Sequence, residues 1–178
     1  MRRAARCWLL SLALAGSAGA GEEVPGAGHH LSVYLHGGMQ VYQAPTRLMG
    51  GVGGGVGLRD TWNERLLLQA DVSYLFLLGN VTALRVAAGY QHPGTWSPAA
   101  LLGISLLMGD QASFLTPDVS AVRVGPALSL GITLAPLRFR AGSVQVSLLA
   151  PGLSAGSDFP GTGLCYSLSL LEVSAGLD

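Results

Sequence analysis

Three charged residues stand singly in otherwise oily segments of the chain: Asp71 between Ala70 and Val72, Arg85 between Leu84 and Val86, and Arg123 between Val122 and Val124. A charge in apolar surroundings is costly unless it meets its opposite, so the first chemistry these residues offer is ion pairing. Folding the chain back about Gly79 places Ser73 opposite Arg85 and Asp71 diagonal to it, within reach of a long side chain. Asp71, Arg85 and Arg123 are therefore expected to form an interior charge network that fills the middle of the fold. The functional alternative is an arginine constriction that selects anions in a narrow pore.

Other residues suggest chemistry that their context does not support. The run Gly50-Gly51-Val52-Gly53-Gly54-Gly55-Val56-Gly57 invites a phosphate-loop reading, but it continues into Leu58-Arg59-Asp60 without the Gly-Lys-Ser/Thr ending or a following helix. Its odd-numbered glycines share one strand face, where they leave room for neighbouring side chains. His30 and Ser32 lie two apart, on one face of a strand, and suggest a base and a nucleophile; no acid completes the set. His29 and His30 together lack the further spaced ligands that a metal needs. No catalytic residue, metal ligand or cofactor is expected.

The elements that must position these residues are strands. From Val122 to Leu134 the even positions read Val, Val, Pro, Leu, Leu, Ile, Leu, and the odd ones Arg, Gly, Ala, Ser, Gly, Thr. Side chains of a strand alternate between faces, so this is an extended segment with one oily side. It exceeds the usual globular strand of about 5 to 6 residues and suits a tilted bilayer-crossing strand of roughly 9 to 11. Leu66 to Leu77 repeats the pattern, with Leu66, Leu68, Ala70, Val72, Tyr74 and Phe76 on the oily side. Eight such segments are expected: Leu31 to Tyr42, Met49 to Asp60, Arg65 to Leu77, Val81 to Gln91, Ser97 to Gly109, Val119 to Leu134, Leu137 to Leu149 and Leu164 to Gly176. Short turns fall at 61–64, 92–96 and 135–136, and the longest connections, at 110–118 and 150–163, fall together at the other end. Trp62, Tyr90, Trp96 and Phe139 would form one aromatic girdle; Tyr42, Tyr74, Phe76 and Tyr166 would form the other.

Composition narrows the class. Charged residues make up 11% of the chain, against roughly 25% in soluble domains. Beyond residue 20 there are seven arginines, no lysine and ten acids, so no basic patch offers nucleic acid a footprint. That part also lacks an 18-residue apolar stretch, which excludes helical spans. An oily protein without oily helices must satisfy its backbone between strands, and a closed barrel does so without leaving an edge. Residues 1–20 carry Arg2, Arg3 and Arg6, an apolar run from Cys7 to Ala15, and Ala18-Gly19-Ala20. This is the pattern of a secretory signal peptide. Residues 21–30 then form a short periplasmic lead-in and 31–178 the barrel. With Cys7 removed, Cys165 is left without a disulfide partner.

Signal, alternating strands and loop asymmetry together resemble the small eight-stranded bacterial outer-membrane β-barrel proteins. The resemblance is architectural, carries no family motif and covers the chain beyond the signal. It departs from the class at the C-terminus: Gly176-Leu177-Asp178 stands where such barrels place a terminal aromatic used in assembly. The resemblance implies an all-β, antiparallel up-and-down transmembrane barrel in the outer membrane of a Gram-negative bacterium. Outer-membrane lipid, lipopolysaccharide and an envelope protein are the implied partners. Its role would be structural, adhesive or assembly-related, with a plugged lumen. The alternatives are a narrow channel, a lipid A-modifying hydrolase resembling the deacylase barrels, and a soluble periplasmic ligand-binding barrel. In the two longest connections, Asp110, Asp118 and Asp158 would bridge divalent cations to lipopolysaccharide phosphates, and Phe114 and Phe159 would mark a partner-binding patch.

Overall fold

A computed structural model describes residues 28–45, 47–111, 122–158 and 161–177. The expected signal peptide, Phe114, Asp118 and Phe159 lie outside these residues. Nine strand segments follow one another: β1 (His29–Ala44), β2 (Arg47–Trp62), β3 (Leu66–Leu78), β4 (Val81–Gln91), β5 (Ala99–Gln111), β6 (Val122–Ala135), β7 (Leu137–Ala141), β8 (Val144–Asp158) and β9 (Gly161–Gly176). Every consecutive pair except β6 and β7 is antiparallel and hydrogen-bonded, β1 also pairs with β9, and β6 with β8, so the sheet closes on itself. β6 and β7 hold one register against β8, from Leu128↔Ser157 through Thr133↔Gly152 to Leu137↔Leu148 and Ala141↔Val144. They are one barrel strand interrupted at Pro136, which makes the barrel eight-stranded, as the alternation predicts.

Two of the expected boundaries are corrected by this continuity. The chain does not reverse at 135–136; it runs on through Pro136 and turns at Gly142-Ser143. The expected loop at 150–163 is mostly strand, because β8 runs to Asp158 and pairs with β9 over its whole length. Pro136 and Pro151 suggest loops, since proline cannot donate to a ladder. Here both fall in the same gap of the β6/β7–β8 ladder, between the Thr133↔Gly152 and Leu137↔Leu148 pairs. One interruption thus accommodates both prolines. Asp158 is accordingly the last residue of β8 and not a loop acid. Asp110 lies within β5, opposite Arg123. His29 and His30, expected ahead of the first strand, are its first two residues.

Polarity is inverted relative to a soluble protein. On β3, Leu66, Leu68, Val72, Tyr74 and Phe76 face out, while Leu67, Gln69, Asp71, Ser73 and Leu75 are buried inside. β6 does the same, with Leu128, Leu130 and Ile132 each more than half exposed and Ala127 and Ser129 buried. Tyr74, Phe76 and Tyr166 are exposed toward one end, and Tyr90, Trp96 and Phe139 toward the end that carries the chain termini. Tyr42 is not part of a girdle. It is fully buried in the lumen, over β8 and β9, where a Cβ on Gly163 would lie 2.3 Å from its hydroxyl and one on Gly156 3.0 Å from its ring.

The lumen has two zones. At the end away from the termini, Tyr42, Met49, Leu75, Val81, Leu107 and Cys165 pack into an apolar cluster. The middle and the terminal end hold the polar side chains, beside a second apolar cluster of Leu67, Ala87, Ala99, Leu101, Ala135 and Ala150. Beyond the barrel proper, the 92–98 connection folds along the free edge of β7: Ser97 N–H donates to Arg138 O (2.8 Å), Arg140 N–H to Thr95 O (2.7 Å), and the Trp96 indole to Pro136 O (2.9 Å).

Candidate functional site

The polar zone is built from side chains directed inward from eight strand segments, all but β5. Asp71 and Arg85 are direct partners in the β3–β4 ladder, two residues away from the diagonal expected from the sequence. The hairpin is wider than a two-residue turn: the last β3–β4 pair is Leu75↔Val81, and Leu77 and Gly79 both take positive φ. Arg85 Nε donates to Asp71 Oδ2 at 3.0 Å. The same oxygen accepts from the Tyr34 hydroxyl at 2.7 Å, and His36 Nε2 lies 3.6 Å from Asp71 Oδ1. Arg85 Nη1 also reaches Thr133 Oγ1 at 3.5 Å.

A second cluster adjoins this one toward the termini. Glu172 Oε1 accepts from Arg59 Nη2 and, at 3.0 Å, from Arg138 Nη2. Arg59 also donates to Gln69 Oε1 from Nε and Nη2 and to Gln145 Oε1 from Nη1. Its guanidinium carbon lies 4.6 Å from the Tyr34 ring centroid, a cation–π contact. Gln145 Nε2 continues the chain of bonds to Gln91 Oε1 and Ser97 Oγ. Tyr34 thus joins the two clusters, its ring against Arg59 and its hydroxyl on Asp71.

Glycine makes this junction possible. A Cβ on Gly57 would lie 2.5 Å from Tyr34 Cζ and 2.6 Å from Ala70 O, so the ring lies across a bare stretch of β2. Gly57→Ala should force Tyr34 off both Arg59 and Asp71, at an overpacking cost of about 1 to 3 kcal/mol. A urea titration of the folded barrel should show the midpoint fall; a midpoint equal to wild type would mean the ring has slack.

Of the residues expected in the charge network, Asp71 and Arg85 meet. Arg123 is held by backbone pairing opposite Asp110, beyond a register shift at Leu107/Gly109; its side chain lies outside the described set. Arg59, Arg138, Glu172 and Tyr34 were not anticipated. Arg59 shares the odd-numbered face of Gly51, Gly53, Gly55 and Gly57, so that alternation already indicates it.

Arg138 and Glu172 were hidden by a change of phase. In β6 the inward residues are odd-numbered through Ala135, yet even-numbered Arg138 is buried; in β9 they are odd through Cys165, yet Glu172 and Ser174 are buried. Pro136 and Leu137, Leu148 and Leu149, and Leu170 and Leu171 are consecutive outward-facing pairs on neighbouring strands. Leu149 has φ 52°, and Leu170 is skipped in the β1–β9 ladder between Gly37↔Leu171 and Gly38↔Ser169. This transverse row of bulges flips the alternation of three strands together.

His30 and Ser32 belong to the lumen face of β1, and the Ser32 hydroxyl donates to Arg59 O at 3.3 Å. A hydrolase acting on lipid needs its nucleophile on the outer face. Replacing His30 and Ser32 together is expected to leave the lipid A of an expressing cell unchanged; a mass spectrum that gains or loses an acyl chain on mutation would favour the enzyme. Among the described residues, no three of His, Cys, Asp and Glu converge as a metal site.

No protein-family model matches the chain, and no curated protein matches its sequence. Solved structures do. Neisserial surface protein A is similar over 83% of this chain and 98% of its own, at 11% identity and a TM-score of 0.53. The N-terminal β-barrel domain of Pseudomonas aeruginosa OprF is similar over 82% of this chain and 97% of its own, at 10% identity and a TM-score of 0.50. At such identities the likeness is one of fold, and the fold it shows is the eight-stranded antiparallel barrel of small bacterial outer-membrane proteins.

Proposed function

We propose that this chain is an outer-membrane barrel of a Gram-negative bacterium, exported with cleavage after residue 20, with a structural, adhesive or assembly-partner role and a lumen plugged by its own side chains. The observation that carries the reading is the inverted polarity. Arg59, Arg138, Gln69 and Glu172 are buried, while the broad outer wall is leucine, isoleucine and valine. In water that wall would be an apolar surface far beyond what soluble monomers expose; in lipid it is the required one. The inversion disfavours the soluble ligand-binding barrel, which needs its oily face inside. The plug has two supports, the apolar cluster at one end and the two ion-paired clusters behind it. Lipopolysaccharide and an envelope protein are the partners that such a location supplies.

Membrane fractionation with a heat-modifiability gel tests the reading. The protein should resist carbonate extraction, migrate differently when unboiled, and carry Gly21 as its first residue by mass. A carbonate-soluble product with no gel shift would remove the membrane assignment.

A further inference from the structure

The two buried guanidiniums of the terminal cluster are served very differently. Arg59 uses Nε, Nη1 and Nη2 on three acceptors and lies against a tyrosine ring. Arg138 is just as buried, with 1% of its surface exposed, yet it donates only from Nη2; Nε and Nη1 have no partner. A guanidinium carries five N–H donors, and burying them unpaired is costly. Arg138 lines a cavity of about 70 Å³ with a mixed polar and apolar wall that is also bordered by Arg85, Glu172 and Ser169, and the Ser169 hydroxyl has no partner either.

Charge points the same way as the open donors. Among the described residues the lumen holds Arg59, Arg85 and Arg138 against Asp71 and Glu172, and both Arg59 and Arg138 draw on one oxygen of Glu172. One positive charge is left over, beside the guanidinium with free N–H groups. Water would fill the donors but leave the charge. We propose that the lumen binds one small monovalent anion of the halide class against the free edge of Arg138, with Ser169 on the same cavity wall. The site follows from the barrel interior, so it stands whether or not the barrel resides in an outer membrane.

Bromide is the probe. Crystals of the purified protein grown in sodium bromide should show an anomalous peak at hydrogen-bond distance from Arg138 Nε and Nη1. In urea titrations at fixed ionic strength, exchanging gluconate for about 100 mM bromide should raise the folded-to-unfolded ratio about tenfold, the response of a site with a Kd near 10 mM. General salt effects run the other way, because weakly hydrated anions stabilise folded proteins less than strongly hydrated ones. Arg138→Lys keeps a cation beside Glu172 but removes the open fork, and should abolish the bromide increment. Bromide density absent from the cavity, a wild-type midpoint indifferent to the anion, or an equal increment in Arg138→Lys would each overturn the site. Should Arg138→Lys not fold, the wild-type density and the gluconate comparison decide it.

Discussion

Glu172→Ala is expected to destabilise the barrel more than any other single change in the lumen. Its carboxylate is the only acid paired with Arg59 and Arg138 among the described residues, and those two side chains are 0% and 1% exposed. Removing one partner of a buried ion pair typically costs about 3 to 5 kcal/mol, because the remaining charge cannot return to water; here two charges are stranded. The urea midpoint of the folded barrel should fall sharply, and the unboiled form should lose its gel shift at lower temperature. Adding Arg138→Met to Glu172→Ala should recover part of the loss, since one orphan charge is replaced by an apolar chain of similar length while Arg59 keeps Gln69 and Gln145. A Glu172→Ala protein as stable as wild type would mean that water or ions already screen the cluster.

Asp71→Ala is the second large effect, and it separates a plug from a channel. It removes the acceptor of Arg85 and of the Tyr34 hydroxyl together, and with it the contact that ties the two clusters. The Arg85 side chain is 22% exposed, so water relieves part of the penalty, and the cost should fall at or below the low end of about 3 kcal/mol. The double change Asp71→Ala with Arg85→Ala leaves no orphan charge there and should regain much of that stability. If the proposed plug holds, conductance should nevertheless stay silent in planar bilayers, for wild type and double variant alike, because the packed cluster of Tyr42, Met49, Leu75, Val81 and Leu107 at the opposite end is untouched. Steady single-channel steps from purified wild type would displace the plug in favour of a narrow channel. In that case Arg85→Ala should shift its ion preference.

Alternation, read with the low charge content and the lack of an apolar helix, was enough to define the barrel and most of its faces. The oily sides assigned to Leu66–Phe76 and, from Pro126 on, to the segment ending at Leu134 are the exposed sides, and five of the eight strands lie within two residues of their expected ends. Such strands are legible because period two is a local property of the chain, imposed by the backbone whatever its neighbours are. Proline misled where its meaning was not local. Pro136 falls in the expected turn at 135–136 and Pro151 in the expected loop at 150–163, and only the ladder between β6/β7 and β8 shows that they share one gap in a continuous wall.

The charge network divides along the same line. That Asp71 and Arg85 both face inward is written in their own segments, and Arg59 is indicated by the glycines that precede it. Their partners depend on register, which a wide β3–β4 hairpin moved by two residues and which no single strand specifies. Arg138 and Glu172 depend on still more. Each follows a bulge that reverses its strand's alternation, and those bulges at Pro136, Leu149 and Leu170 line up across neighbouring strands. A strand's sequence determines that its sides alternate; which side is the lumen beyond a bulge is decided only when the adjacent strands are paired, because the extra residue exists only relative to a neighbour.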